Sequence, residues 1–316
     1  MKRRAPYLLA VVLACGGSGG SGGAAPSPAP EPTDTATLRA GALTATVAGN
    51  AGGLSGVRSL RHDAAPDFEP LASAALNYEH LIAGRADPRN TMAPRRGPLE
   101  LRQPAPDTAT LHRAAADSPW GVEATLTLRA VAPHYLDMSF RCRFDDPAAF
   151  DPHGYAAFFF ASYMQGVVDE GLHFLADDDG REMWVRVDGS EIAHPAWDHG
   201  GSWVAANGGT DLAFEPWNGE ARNLWAYTAP EIAAPFYWGQ LEHGMVWAVM
   251  FDRLATAEDE IRFALFRFRP GFPAWDFGYV VRDTRSGVCG FDARVVYKPF
   301  VSAGDVEDEW RAWRGR

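Results

Sequence analysis

The sequence of 316 residues predicts a large antiparallel β-sandwich, and three observations lead to this fold class. Many short segments alternate apolar and polar residues, which is the period of a half-buried strand. Other segments are apolar on both faces, rich in aromatics and too short for stable isolated helices. Helical periodicity is scarce, and neither a βαβ rhythm nor an internal repeat is present, which counts against α/β folds, propellers and solenoids.

The predicted strands divide into two kinds. Residues 122–130 and 136–144 alternate strictly, and the intervening Pro133 and His134 predict a hairpin. Residues 155–163 and 245–251 are apolar throughout, as expected for central strands covered on both sides. Further strands are predicted at 98–103, 108–113, 182–187, 236–241, 261–269, 277–282 and 291–298.

A single short helix is predicted at the C-terminus. Val306, Trp310 and Trp313 recur at helical spacing within residues 303–313, and Ser302 is a suitable N-cap. On the last strand before this helix we expect a solvated face that includes Arg294 and Lys298.

The N-terminus predicts export. A basic start is followed by an apolar run too short to span a bilayer, which is typical of a secretory signal. The segment Val12-Leu-Ala-Cys15 resembles the lipobox of bacterial lipoproteins, which implies lipidation at Cys15. We expect a signal peptide at 1–14, a lipidated Gly/Ser/Pro tether at 15–37 and a single domain at 38–316, held at the cell envelope on the periplasmic or cell-surface side by a lipid anchor in the membrane.

Charge and cysteine content restrict the partners. The formal net charge is −11, and no Lys/Arg cluster forms a basic face, so we do not expect a nucleic-acid partner. Besides Cys15 the chain has Cys142 and Cys289. These two could form a disulfide or remain buried thiols, and the spacing does not decide between the two states.

Two segments carry a family resemblance. Residues 42–62, with a Gly turn followed by Gly56-Val-Arg-Ser-Leu60, and residues 110–144, which include Leu136-Asp-Met-Ser-Phe140, are similar to galactose mutarotase-like domains. The resemblance implies a β-supersandwich with a sugar-binding concave sheet face. That superfamily contains sugar epimerases, polysaccharide lyases and accessory domains of glycosidases, so the fold does not choose among reactions.

The densest polar and aromatic block is Asn77-Tyr-Glu-His80, which falls on no clear strand. Tyr78, Glu79 and His80 are candidates for proton transfer, and Arg85 could hold a carboxylate of an acidic sugar. The alternative is a loop whose polar groups pin it to a sheet.

A second candidate is His173, on a predicted strand after the apolar run that contains Tyr163. A His beside a Tyr in a cleft would suit acid/base work on a sugar, although a strand His is also a common structural hydrogen-bonding residue. We expect His80, His173 and Trp275 to share one concave face.

Aromatic residues supply the candidate sugar-stacking surface. The chain has 11 Trp, and Trp197 and Trp275 fall in or beside predicted loops, with Asp276 next to Trp275. The run Asp177–Glu182 lacks the later carboxylate of a calcium loop and is better explained as a hairpin turn. His194-Pro-Ala-Trp-Asp-His199 matches no defined zinc spacing. We therefore expect neither a metal nor a cofactor.

These observations favour a carbohydrate-active domain that binds or processes oligo- or polysaccharide by acid/base chemistry, as a lyase or a glycoside hydrolase. Two alternatives remain open at this point. One is a non-catalytic glycan-binding surface lipoprotein, and the other is a structural protein of the cell envelope.

Overall fold

The computed structural model describes residues 30–51, 53–83, 93–188, 202–206, 212–213 and 230–315. In this part of the chain, antiparallel strands form three sheets, and the longest helix is a short C-terminal one. The predicted fold class, a large antiparallel β-sandwich with a short C-terminal helix, is confirmed. Cys15, Arg85 and Trp197 lie outside the described residues, as does the run His194–His199.

The largest sheet has nine strands among the described residues, in the order β11-β10-β13-β14-β17-β8-β7-β6-β5. Its strands are β5 (Glu100–Ala105), β6 (Thr108–Arg113), β7 (Val122–Val131), β8 (Tyr135–Phe144), β10 (Leu172–Asp178), β11 (Arg181–Val187), β13 (Glu231–Leu241), β14 (Met245–Leu254) and β17 (Val288–Pro299). Each neighbouring pair runs antiparallel.

The opposing sheet has five described strands in the order β12-β15-β16-β9-β4. They are β4 (Asn77–Ile82), β9 (Ala156–Ala161), β12 (Ser202–Ala206), β15 (Glu260–Arg269) and β16 (Phe272–Val281). A three-stranded sheet of β1 (Thr35–Ala40), β2 (Leu43–Ala48) and β3 (Gly56–His62) completes the described strands. A single helical turn, α1 (Ala93–Arg96), packs beside β4.

The main core lies between the nine-stranded and five-stranded sheets. Phe140 of β8 contacts Phe158 and Phe160 of β9, with ring centroids 5.2 and 5.1 Å apart. β9 is buried on both faces, as predicted, because Phe158 and Phe160 enter this core while Phe159 packs into a second apolar layer outside the five-stranded sheet. The five-stranded sheet therefore has an inner face and an outer face, and both are largely buried.

Three sequence expectations about elements need correction. Residues 77–80 were predicted to fall on no clear strand, but they form most of β4. Trp275 was predicted beside a loop, but it lies inside β16. The predicted solvated face of the last strand is buried, since Arg294 and Lys298 lie beneath the C-terminal helix. The first two strands are covered by residues from distant parts of the chain, whereas the last strand is covered by the helix that follows it.

The C-terminal helix α2 (Ala303–Arg314) confirms the predicted helix. The Ser302 hydroxyl accepts a hydrogen bond from the Asp305 N–H at 3.1 Å, which is the expected N-cap. Trp310 packs against Phe236 of β13, with centroids 5.3 Å apart. The helix thereby covers the outer face of the nine-stranded sheet. Within the described residues, no helix is long and apolar enough to cross a bilayer.

A buried ionic cluster fixes α2 to the sheet. Glu309 accepts hydrogen bonds from Lys298 at 2.6 Å and from the Tyr135 hydroxyl at 2.6 Å, and it lies 3.3 Å from His134 Nε2. The hydrogen bonds with His134, Lys298 and Tyr135 lower the pKa of Glu309 to about 2, although burial opposes the shift. The carboxylate is therefore held ionised in the folded state.

This shift predicts a pH-dependent stability. A carboxyl whose pKa is depressed by folding stabilises the protein fully above its ordinary value of 4.5, and the contribution is lost as pH falls toward 2. Glu309→Gln should lower the free energy of unfolding by about 2–3 kcal/mol at pH 7, and the difference from the parent should shrink between pH 5 and 3. Urea unfolding at several pH values measures this.

Glu307→Gln provides the control, because Glu307 lies on the same helix and pairs with an Arg311 side chain that is 64% exposed. A pH-independent difference between Glu309→Gln and the parent would contradict the assignment.

Candidate functional site

The site is built on a β-bulge in β4. Tyr78 pairs with Phe160 and His80 pairs with Phe159, so Glu79 is the extra residue of the bulge. Tyr78 points into the main core, whereas Glu79 contacts Tyr163 and His80 packs against Phe159. The bulge therefore directs two successive ionisable side chains, Glu79 and His80, to the outer face of the five-stranded sheet.

Tyr163 and Glu79 form the centre of this arrangement. The Tyr163 hydroxyl lies 2.8 Å from both carboxylate oxygens of Glu79 and donates a hydrogen bond that the two oxygens share. Glu79 is only 3% exposed, and Arg95 of α1 forms an ion pair with its Oε1. The Arg95 side chain is 36% exposed. A buried anion is thus held between a phenol and a guanidinium that reaches solvent.

The electrostatic surroundings determine the protonation state of the phenol. Burial raises the pKa of Tyr163 most, and the negative charges of Glu79 and Asp276 raise it further, while Arg95 lowers it. Tyr163 is therefore a neutral hydrogen-bond donor at physiological pH. In the resting state it cannot serve as a base.

Asp276 positions the segment that carries Tyr163. Its Oδ1 accepts a hydrogen bond from the Ser162 N–H at 2.7 Å, and the Ser162 hydroxyl accepts one from the Leu76 N–H at 3.2 Å. These bonds join β16, the end of β9 and the start of β4. We call the group formed by Glu79, His80, Arg95, Tyr163 and Asp276 the Tyr163 site.

His80 lies beside this centre on the same sheet face. Its ring makes an edge-to-face contact with Phe159 at 5.4 Å, and the residue is 8% exposed. Of the predicted candidates, the structure thus brings together Glu79, His80, Tyr163 and Asp276.

Two predicted candidates point into the core instead. Tyr78 is 2% exposed and stacks on Phe160 at 5.6 Å. Trp275 is fully buried, and it lies so close to Gly239 that a Cβ there would come within 2.2 Å of the indole. Alternation along each strand sends these side chains inward while their neighbours Glu79 and Asp276 point outward.

His173 lies on the other sheet. It sits on β10, on the outer face of the nine-stranded sheet, and stacks on Trp238 with centroids 4.2 Å apart. Burial lowers its pKa, and the nearby Asp169 opposes this effect. The expectation that His80, His173 and Trp275 share one face is therefore wrong, because the three residues occupy an outer face of each sheet and the core between them.

Comparisons with known proteins add a likeness of fold. No family model and no curated protein sequence matches the chain. Among solved structures, an Escherichia coli protein assigned as an aldose 1-epimerase is 8% identical, with a TM-score of 0.47 over 84% of this chain and 99% of that chain. A GalM/aldose epimerase homologue from C. elegans is 9% identical, with a TM-score of 0.47 over 86% of this chain and 100% of its own.

A third solved structure is a mutant of the heparan sulfate lyase HepC from Pedobacter heparinus. It is 7% identical to this chain, with a TM-score of 0.44, and the match covers 90% of this chain and 38% of the lyase. At these identities the likeness concerns the fold.

Sequence reasoning missed Arg95. The chain offers Arg85, Arg89, Arg95 and Arg96 after the Asn77–His80 block, and pattern alone does not select the one that reaches Glu79. A signal exists in hindsight, since a carboxylate on a buried strand requires a cation nearby.

A second polar group was also missed, around the start of β15. Glu260 forms ion pairs with the fully buried Arg262 and with Arg282, each at 3.0 Å. Asp259 accepts a hydrogen bond from the Tyr279 hydroxyl, and Asp259 and Glu260 line a cleft of about 290 Å³. The alternation of Glu260 and Arg262 along one strand face is the sequence signal for this pair.

Across the described ranges, no group of three or more His, Cys, Asp or Glu side chains is placed to hold a metal ion.

Proposed function

We propose that this chain is a carbohydrate-active domain and that the Tyr163 site binds a sugar and carries out acid/base chemistry on it. The observation that carries the proposal is the phenol of Tyr163 donating to both oxygens of the buried Glu79 carboxylate. This pair lies on one outer sheet face with a second ionisable residue, His80, and a partly exposed guanidinium.

The chemistry follows from the charges around the phenol. Tyr163 keeps its proton at physiological pH, and it can transfer that proton to the oxygen of a departing sugar once this oxygen replaces Glu79 as the hydrogen-bond acceptor. The phenolate that remains is stabilised by Arg95, which is the group that lowers the pKa of Tyr163. Arg95 can also bind a sugar hydroxyl or carboxylate through its exposed edge. Both β-elimination and glycoside hydrolysis can use such a proton donor to assist the leaving oxygen.

A second candidate function is glycan binding without turnover. It is favoured by the burial of Glu79, whose two oxygens already accept from Tyr163 and Arg95. In that function the Glu79 carboxylate positions the Tyr163 phenol and the Arg95 guanidinium, and only these two groups contact the sugar.

The full chain should be assayed against polysaccharides rich in uronate, neutral sugar and amino sugar. Lyase action produces an unsaturated product that absorbs in the near ultraviolet, hydrolysis produces reducing ends, and binding produces a rise in melting temperature alone. If none of the three readouts responds to any of the three classes, both functions are wrong.

Export and lipidation are proposed from the sequence. The basic start, the apolar run and the segment ending at Cys15 support a lipidated, envelope-anchored protein. In a bacterial host, Cys15→Ser should move the protein from the membrane fraction to the soluble fraction and remove the acyl mass from its N-terminal peptide. Equal membrane recovery of the parent and the Cys15→Ser chain would contradict the proposal.

A further inference from the structure

The two buried cysteines face each other across neighbouring strands. Cys142 of β8 and Cys289 of β17 are directly opposed in the antiparallel register. Both side chains belong to the main core, and each thiol perturbs the pKa of the other. Residues 147 positions apart in sequence are therefore in side-chain contact.

We propose that Cys142 and Cys289 are a disulfide-forming pair, which closes to a cross-strand disulfide when it meets an oxidant of the low-molecular-weight disulfide class. Directly opposed residues of antiparallel strands have Cβ atoms about 4.5–5.5 Å apart, and a disulfide requires about 3.5–4.5 Å. A small approach of the two strands is sufficient.

The strands are already close beside this pair. Gly290 follows Cys289 with a φ of +158°, and a Cβ at this position would come within 2.0 Å of the Phe140 carbonyl oxygen. The glycine allows β17 to approach β8 next to the cysteines. Glycine at such a position is a common sign of close backbone contact.

The surroundings distinguish the two sulfurs. The Cys289 sulfur lies 3.2 Å from the Ser286 hydroxyl, in the turn between β16 and β17, and Ser286, Gly287 and Val288 are exposed. The neighbouring Cys142 thiol lowers the pKa of Cys289 most, burial opposes this effect, and the interaction with the Ser286 hydroxyl lowers the pKa further. Burial raises the pKa of Cys142. Cys289 is fully buried but adjoins the exposed turn, so it is the thiol expected to react first when that turn opens locally.

The reaction is ordinary thiol–disulfide exchange. The Cys289 thiolate attacks one sulfur of the oxidant, the oxidant S–S bond breaks, and one small thiolate leaves. The Cys142 sulfur then attacks the mixed disulfide at Cys289 and displaces the second small thiolate, which takes up the Cys142 proton. The two cysteines are oxidised by two electrons, and the oxidant is reduced to two thiols.

The test uses the full chain with Cys15→Ser, so that Cys142 and Cys289 are the remaining thiols. The folded protein is incubated with oxidised glutathione, alkylated under denaturing conditions and digested for peptide mass analysis. We expect loss of both alkylation sites, a linked peptide containing Cys142 and Cys289, and a melting temperature raised by about 5–15 °C. Dithiothreitol should reverse all three changes.

Single variants test the order of attack. In Cys142→Ala the glutathione should remain attached to Cys289, and in Cys289→Ala the folded protein should gain no adduct. A glutathione adduct on Cys142 in the Cys289→Ala chain would overturn the assigned order. Full alkylation of both cysteines after oxidation of the folded Cys15→Ser chain, or separate adducts on both without linkage, would overturn the pair itself.

Discussion

Replacing Glu260 with glutamine is expected to lower the free energy of unfolding by about 3–5 kcal/mol. Glu260 is 6% exposed and neutralises Arg262, which is fully buried, as well as Arg282. Removing the Glu260 charge deletes one ion-pair partner of the buried Arg262 guanidinium, and a charge in a medium of low polarity depends strongly on such partners. Urea or guanidinium unfolding of the variant and the parent measures the loss.

The chain contains a matched control for this pair. Glu100 and Arg102 have the same i, i+2 spacing on a strand, but their side chains are 42% and 34% exposed. Glu100→Gln should cost less than about 1 kcal/mol, because solvent screens an exposed ion pair. The double variant Glu260→Leu with Arg262→Leu should recover much of the lost stability, since both charges of the buried pair are removed together. Equal losses for Glu260→Gln and Glu100→Gln would refute the burial argument.

Tyr163→Phe is expected to lower product formation on the substrate that the chain processes by about 10²–10⁴-fold, the usual contribution of a positioned proton donor. The substitution removes one oxygen and keeps the ring that packs against Phe268 and Phe272. If the site only binds sugar, no product forms with the parent, and Tyr163→Phe should instead abolish the rise in melting temperature on addition of glycan. The comparison of kcat with KM separates a lost proton donor from a lost binding contact.

Tyr155→Phe is the control for this variant. Tyr155 precedes β9 while Tyr163 follows it, and its hydroxyl donates to the Ala213 carbonyl at 2.9 Å. Both variants lose the hydrogen bonding of one largely buried phenol, so both should remain folded with stability lowered by about 1–3 kcal/mol. Product formation that Tyr163→Phe and Tyr155→Phe reduce equally would remove Tyr163 from the chemistry.

The Asn77–His80 block shows what the sequence pattern can predict about the site and what it cannot. The density of polar and aromatic residues correctly marked a place where ionisable side chains gather. The block has no alternating pattern because the bulge at Glu79 interrupts the period of two. The sequence therefore predicted no clear strand there. The bulge is visible only in the pairing with β9.

The assignment of Trp275 to a ligand-binding site was wrong for a different reason. Trp275 was chosen for ligand binding because aromatics beside polar residues often stack on sugars, but it fills the core above Gly239. Asp276, its neighbour, does point to the Tyr163 site. Adjacent residues of a strand face opposite sides, so choosing both for one site could be right for only one of them.

The sequence by itself determined the fold class, most strands and the C-terminal helix with its Ser302 cap, since these depend on local periodicity and capping chemistry. Only the tertiary structure decided which candidates meet. Glu79 and Tyr163 are 84 residues apart in sequence, and Ser162 and Asp276 are 114 residues apart. The physical reason is that strand pairing between distant segments sets both the register and the face of each side chain, and no local pattern encodes that choice.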